Sequence, residues 1–282
     1  MRRATPILRA PPQPRIGPEY RIWRAPLSEW RNGSRKLREG APGARDAIFR
    51  RVRAEPALII TADDYGYRPS YDRGILEVAA AGAVDAVGIM TARGGLEPDP
   101  LLATGVEIGL HLELPTALVR RRRAGPRERE AALVALRDQL GRFEAAFGCP
   151  AGFLDGHRHC HAHPGLAAAI AREARARGLP VRSVSPRHRR LLRREGGATP
   201  DRLVGRLYER GEALPAELRL ALEAGGHLPR GVTEWMVHPG RADPASRSGY
   251  DRGREEDLNL LLSLRLEPAL ATARRSHAAA LG

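Results

Sequence analysis

The segment Asp155-Gly156-His157-Arg158-His159-Cys160-His161-Ala162-His163-Pro164 sets four histidines at alternate positions behind an aspartate. In an extended backbone all four imidazoles would project from one face. Four of the chain's nine histidines fall within seven residues, which is a dose of metal-binding chemistry that core filling does not explain. The competing reading is a histidine cluster on a surface loop. What decides between them is which other residues the fold can bring to the tract.

The elements that must do so can be traced along the chain. Ala57-Leu58-Ile59-Ile60-Thr61 is a short apolar run ending in polar residues, as in a strand buried on both faces of a parallel sheet. Further strands are expected at Val84–Met90, Val106–Leu112, Phe153–Asp155, Val181–Val184 and Val232–Val237. Helices are expected at about Tyr71–Ala81, Arg127–Phe147 with Gly148 as its C-cap, Pro164–Arg177, Pro215–Ala224, Glu255–Leu264 and Pro268–Ala279. The basic stretch from Pro186 to Arg210 is expected to be helical in part. Strands and helices alternating at this spacing argue for an α/β protein with a barrel-like or open parallel sheet.

In such folds the reactive side chains collect where strands give way to loops at their carboxyl ends. The first strand ends in Asp63-Asp64, the third in His111, the fourth in Asp155-Gly156-His157 and the last in His238-Pro239-Gly240. One carboxylate and two neutral imidazoles can bind a divalent ion and leave positions open for water and substrate. A second carboxylate can take a proton from the water, and a separate histidine can give one to the leaving group. Asp63 and Asp64 point to opposite sides of an extended strand, so they can share a site only if the chain turns there. Tyr65-Gly66 offers the turn.

Composition narrows the field. The net charge is +14 and the isoelectric point near 11.0, which raises a polyanion partner. Yet Lys36 is the only lysine, the arginines are spread along the chain, and aromatics make up 5%, too few for base-stacking platforms. A nucleic-acid partner is therefore disfavoured. A hydrophobic content of 42% and a mean hydropathy of −0.40 describe a globular chain, and no apolar run nears the roughly 20 residues of a membrane span. Met1-Arg2-Arg3 is followed by no signal-peptide pattern, and Cys149 and Cys160 match no disulfide framework or cysteine zinc motif. Reduced thiols in the cytoplasm are the expectation. Residues 1–56 read as a basic, poorly ordered extension with a short helix over 44–53, which Trp23 and Trp30 could pin to the domain at 57–282.

Thr61-Ala62-Asp63-Asp64-Tyr65-Gly66, Gly109-Leu110-His111-Leu112, Asp155-Gly156-His157-Arg158-His159-Cys160-His161 and Met236-Val237-His238-Pro239-Gly240 resemble, in order and spacing, the motifs of the YdjC-like carbohydrate deacetylases. That family includes chitooligosaccharide deacetylase and the hopanoid-biosynthesis-associated deacetylase. The resemblance covers about Ala57 to Leu270. It implies a distorted TIM-barrel-like fold of the glycoside hydrolase/deacetylase type, and removal of an acetyl group from an N-acetylated sugar or glycoconjugate, the substrate being a small molecule or an oligosaccharide. It implies a divalent metal, magnesium first and zinc or another ion as alternatives, on Asp64, His111 and His157. Asp63 is then the general base and His238 the proton donor or an oxyanion partner. Asp155, His159, His161 and Arg254 are left to stand behind the ligands or to touch substrate, His163 is incidental, and a homodimer is left open.

Two departures bear on the substrate. Pro115 leads quickly into Arg120–Arg123 where relatives carry a threonine and a long loop, and Ser70-Tyr71-Asp72 lacks the asparagine expected near Tyr71. Two competing readings keep part of the pattern. One is a metal-dependent amidohydrolase or phosphoesterase, in which His159 and His161 would supply ligands for a second metal ion. The other is a catalytically silent polyanion-binding domain built on Arg120–Arg123 and Arg187–Arg194.

Overall fold

The computed structural model describes residues 55–120, 124–205, 228–246, 250–263 and 268–281. The expected helices over 44–53 and 215–224, Trp23, Trp30 and most of the Arg120–Arg123 run lie outside these residues.

The described strands form one curled, all-parallel sheet: β1 (Pro56–Tyr65), β2 (Ala86–Ile89), β3 (Glu107–Leu112), β4 (Leu154–Gly156), β5 (Arg202–Val204) and β6 (Gly231–Val237), in the order β4-β3-β2-β1-β6-β5. Around it lie α1 (Pro69–Ala80), α2 (Pro98–Leu102), α3 (Thr116–Val119), α4 (Pro126–Phe147), α5 (Ala167–Ala176), α6 (Pro186–Arg194), α7 (Asp251–Ser263), α8 (Pro268–Ala273) and α9 (His277–Leu281). This is the expected α/β, TIM-barrel-like class. None of these helices is long and apolar enough to cross a membrane.

Two expected elements are corrected. Val181–Val184 is no strand: only Val181 bridges, to Leu154, while Pro180 and Arg182 bond the Leu154 backbone from either side. The strand beside β6 is instead Arg202–Val204, inside the basic stretch expected to be helical in part, whose helix is Pro186–Arg194. The closing helix over 268–279 is two helices, because the chain stops at Arg274 and Arg275 to meet the foot of β1. Arg274 bridges Leu58, and the Arg275 N–H donates to the Leu58 carbonyl at 2.9 Å.

Registers fix what fills the curl. Alternate β1 residues 57, 59 and 61 pair with 232, 234 and 236 of β6, Thr61 with Ala86, Ala86 with Glu107, Gly88 with Gly109, and His111 with Asp155. Paired residues in a parallel ladder share a face, so Asp63, Glu107, His111, Asp155, Glu234 and His238 all fall on the inner one. The opposite face packs on the helices through the large apolar core around Leu58, Ile60, Val87, Leu110 and Phe143. A smaller apolar group, Ala57, Ile59, Ala86, Phe153 and Val232, closes the foot of the inner side, with Ala280 and Leu281 of α9 against it.

Gly109 makes room for that plug. A Cβ there would run into the Phe153 ring, a rigid side chain at 0% exposure. Gly109→Ala is expected to destabilise the fold by about 1–3 kcal/mol through overpacking, and Phe153→Leu in the same chain should recover part of the loss. Urea denaturation of the single and double variants checks this.

Candidate active site

The two aspartates of β1 reach one site because the strand bulges between them. From Ala62 to Tyr65 the chain takes three steps while its partner β2 takes two, Val87 to Ile89. The extra residue is absorbed at Asp64, whose φ of +77° is a left-handed conformation that aspartate tolerates better than most side chains. Alternation is broken there. The turn expected at Tyr65-Gly66 thus begins one residue earlier, and both carboxylates approach His111: Asp64 Oδ1 at 3.2 Å from Nε2 and Asp63 Oδ2 at 3.9 Å from Nδ1.

Asp64 Oδ1 also lies 2.9 Å from His157 Nδ1, so three potential donors, one carboxylate and two imidazoles, lie within 4.8 Å of one another. Its other oxygen, Oδ2, accepts from Arg254 Nη2 at 2.5 Å. Burial works against the ionised form of Asp64, but the charges of His157 and Arg254 prevail and hold its pKa well below the usual carboxylate range. Arg254 itself is buried, with its guanidinium 3.9 Å from the Tyr71 ring centroid. It faces the acid and not the solvent.

On the far side of His111, Asp155 Oδ1 lies 2.7 Å from Nδ1. Asp155 and Asp63 are both tied to Arg182. Its Nη1 is 2.6 Å from Asp63 Oδ2 and 2.7 Å from Asp155 Oδ2, its Nη2 2.8 Å from Asp63 Oδ1, and its Nε 2.8 Å from Glu234 Oε1. The guanidinium is fully buried. Burial opposes the ionised state of Asp155, and Arg182 and then His111 reverse that and lower its pKa. His238 completes the group with Nε2 at 3.8 Å from Asp63 Oδ2. The His238 backbone N–H donates to Asp257 at 2.8 Å, and burial drives the imidazole pKa down to about 3, so the ring is neutral.

The histidine tract does not run extended. Residues His157–Ala162 form a 3-10 turn in which Arg158 and His159 have φ of +52° and +58°, so the imidazoles diverge. His157 alone of the four stands in the donor cluster. His161 is completely buried, its Nε2 3.0 Å from the Arg182 carbonyl and its ring 5.4 Å from that of His188, so it has no surface to offer a substrate. His159 lies edge-on to His161, with centroids 6.3 Å apart. His163 Nδ1 accepts from the Gly165 N–H at 3.3 Å. Tyr67 and Arg93, which the motif reading passed over, form the rim: the Tyr67 ring is 5.4 Å from His157, and the Arg93 guanidinium lies 4.2 Å over Tyr67.

The YdjC-like protein family model matches residues 57–272. The chain belongs to that family. Among relatives, a chitooligosaccharide deacetylase of Serratia marcescens is 28% identical over 77% of this chain and 95% of its own length. A carbohydrate deacetylase of Geobacillus stearothermophilus is 29% identical over 72% and 88%. A crystal structure of an Enterococcus faecalis protein assigned to cellobiose-phosphate cleavage superposes with a TM-score of 0.63 at 22% identity, over 78% of this chain and 95% of that one. This last likeness concerns the fold. Together, family membership and the carboxylate–imidazole cluster of this YdjC-like chain support a divalent metal.

Arg182 is the residue on which this cluster leans most. Arg182→Gln should cost about 3–5 kcal/mol, since it leaves buried carboxylates uncompensated. It should also raise the acid-unfolding midpoint. Burial alone would raise the Glu234 pKa, but Arg182 and His277 bring it down from 4.5 to about 2. Glu234 therefore contributes stability above about pH 4.5 that is lost as pH falls toward 2, and without Arg182 that loss begins at higher pH. Chemical denaturation across pH 2–7 measures both effects.

Proposed function

We propose that this chain is a divalent-metal-dependent carbohydrate deacetylase that hydrolyses the acetamide of an N-acetylated sugar or oligosaccharide to the free amine and acetate. The observation that carries the reading is the convergence of Asp64, His111 and His157 within 4.8 Å, with Asp63 beside them, in a chain whose relatives are carbohydrate deacetylases.

Asp64 Oδ1, His111 Nε2 and His157 Nδ1 would hold the ion, magnesium being the first candidate. When bound, a divalent ion supplies Lewis acidity, lowering the pKa of water and polarising a carbonyl oxygen. The Asp155 carboxylate at His111 Nδ1 keeps the ring proton on that nitrogen and leaves the Nε2 lone pair free for the ion. Asp63, clamped by Arg182 through both oxygens, acts as general base and takes the water proton. Neutral His238, buried next to Asp63, is suited to donate a hydrogen bond to the oxyanion. At the rim Arg93, which lies over the Tyr67 ring and pairs with Glu113, offers a sugar its remaining guanidinium donors.

The two-metal alternative fares worse. His159 and His161 do not join the donor cluster, and the other acidic triad, Asp63–His111–Asp155, already has the Arg182 cation on both of its carboxylates. A cytoplasmic setting would keep Cys149 and Cys160 as the free thiols they are.

Acetate release from a panel of N-acetylated sugars, with and without added magnesium, manganese or zinc, tests the reading. His157→Ala is expected to abolish both metal binding and release, and Asp63→Asn to lower kcat by about 10²–10⁴-fold while metal is still bound by calorimetry. No release from any panel member in the metal-loaded protein would reject the function, and full activity in His157→Ala would reject the ligand set.

A further inference from the structure

Below Asp63 the inner face of the sheet carries a line of buried and half-buried charges that ends on the C-terminal helix. Arg182 joins Asp63 to Glu234. Glu234 Oε1 is 3.6 Å from His277 Nε2, and His277 Nδ1 is 2.9 Å from Glu107 Oε2. Glu107 also accepts from the N–H groups of His277 and Ala278 at 2.6 and 3.1 Å, and so docks the start of α9. The His277 ring stacks on Phe153 with centroids 4.1 Å apart, and it is 1% exposed. A core plug alone calls for no imidazole at that point.

Charge explains the choice. Arg182 is one cation facing three carboxylates, Asp63, Asp155 and Glu234. If Glu234 had no second partner, its full charge would draw the guanidinium down and loosen the clamp on Asp63. A protonated His277 is that partner. Burial by itself would keep the ring neutral, but Glu107 and Glu234 outweigh it and raise its pKa to about 9. The charge of Asp85, before β2, also reaches the ring, and Asp85 is ion-paired to Arg274 at 2.9 Å. Phe153, just before β4, is uncharged.

We propose that His277 is a positioning residue for the deacetylation chemistry: as a cation beneath the site it balances Glu234, so that Arg182 stays on Asp63. The C-terminal helix thereby becomes part of the machinery and not just a plug. The inference rests on the reading of Asp63 as general base, and its test has one arm that needs no activity.

Coupling between two sites is reciprocal. In the full-length chain the His277 ring, followed by NMR, should titrate near pH 9. In Asp63→Asn, where the Arg182 charge is less compensated, the midpoint should fall by about half a pH unit or more. An unmoved midpoint overturns the proposal whether or not the protein releases acetate. With an N-acetylchitooligosaccharide as substrate, His277→Gln should lower kcat about tenfold with KM within about twofold and metal binding intact, and His277→Lys should restore it. A purely structural role predicts a lower melting temperature with kcat unchanged in the folded protein, and that result would also overturn the proposal. If His277→Gln does not fold, Glu107→Gln serves. It leaves the Glu234 contact in place but removes one of the two carboxylates that charge His277, so the alkaline fall in kcat should begin about one pH unit lower. An unshifted profile counts against the proposal.

Discussion

A guanidinium with no exposed surface is expensive to hold, because several kcal/mol of hydration must be replaced by fixed partners. Arg182 replaces it with four charged contacts to three carboxylates. Its planar fork suits the task, since Nη1 and Nη2 meet Asp63 side by side while Nε faces Glu234, a geometry lysine could not reproduce. The main chain that delivers it is held just as firmly. The Arg182 N–H donates to the Leu154 carbonyl at 3.0 Å, and the Arg182 carbonyl lies against His161 Nε2. Burial keeps His161 and His188 neutral, with His188 lowered to about 4, so two imidazoles can sit behind a buried cation without opposing it. Asp63, Asp155 and, through Asp155, His111 all take their positions from this one side chain.

The second constraint is the bulge in β1. A regular strand would send Asp63 inward and Asp64 toward the helices, where an ionised carboxylate would meet an apolar core. The left-handed residue at Asp64 costs about a kcal/mol or more. It is over-determined by what surrounds it: Tyr67 N–H on the Asp64 carbonyl at 3.1 Å, Gly66 N–H on Asp72 at 2.7 Å, and Arg254 and His157 on the carboxylate itself. Arg254 is in turn stacked on the Tyr71 ring, whose hydroxyl bonds Asp251 of α7. Strain in the strand is thus balanced by helices α1 and α7, far apart in sequence.

These two constraints also mark what could be read from the sequence. The apolar runs of β1, β2, β3, β4 and β6 announce themselves, and acids or histidines at their carboxyl ends announce the site, because both signals are local. The bulge left only the adjacent Asp63-Asp64 and a glycine two residues on. Arg182 and Glu234 were visible as single charges inside apolar runs, Val181-Arg182-Ser183-Val184 and Val232-Thr233-Glu234-Trp235. Lone opposite charges in buried segments should be read as a pair, but proximity across 52 residues is a tertiary fact. Alternation in the histidine tract implies one face only in an extended chain, and here the backbone turns at Arg158 and His159. Arg202–Val204 was hidden by its basic neighbours: three residues are too few to show a period, and the strand exists by pairing with β6.

The two cations explain how adjacent, chemically identical aspartates come to differ. Asp63–His111–Asp155 and Asp64–His111–His157 are overlapping donor sets that share one imidazole. In the first, Arg182 occupies the space between the acids and stays charged, so Asp63 is compensated and its oxygens are oriented. In the second, Arg254 reaches only Oδ2 of Asp64, leaving Oδ1 facing two imidazole nitrogens with no fixed cation between them. Among the described residues, the donor set left open to a dication is the one around Asp64. On the reading of Asp64 as ligand and Asp63 as base, the division of labour therefore follows from where two arginines were buried, and not from any difference between the aspartates themselves.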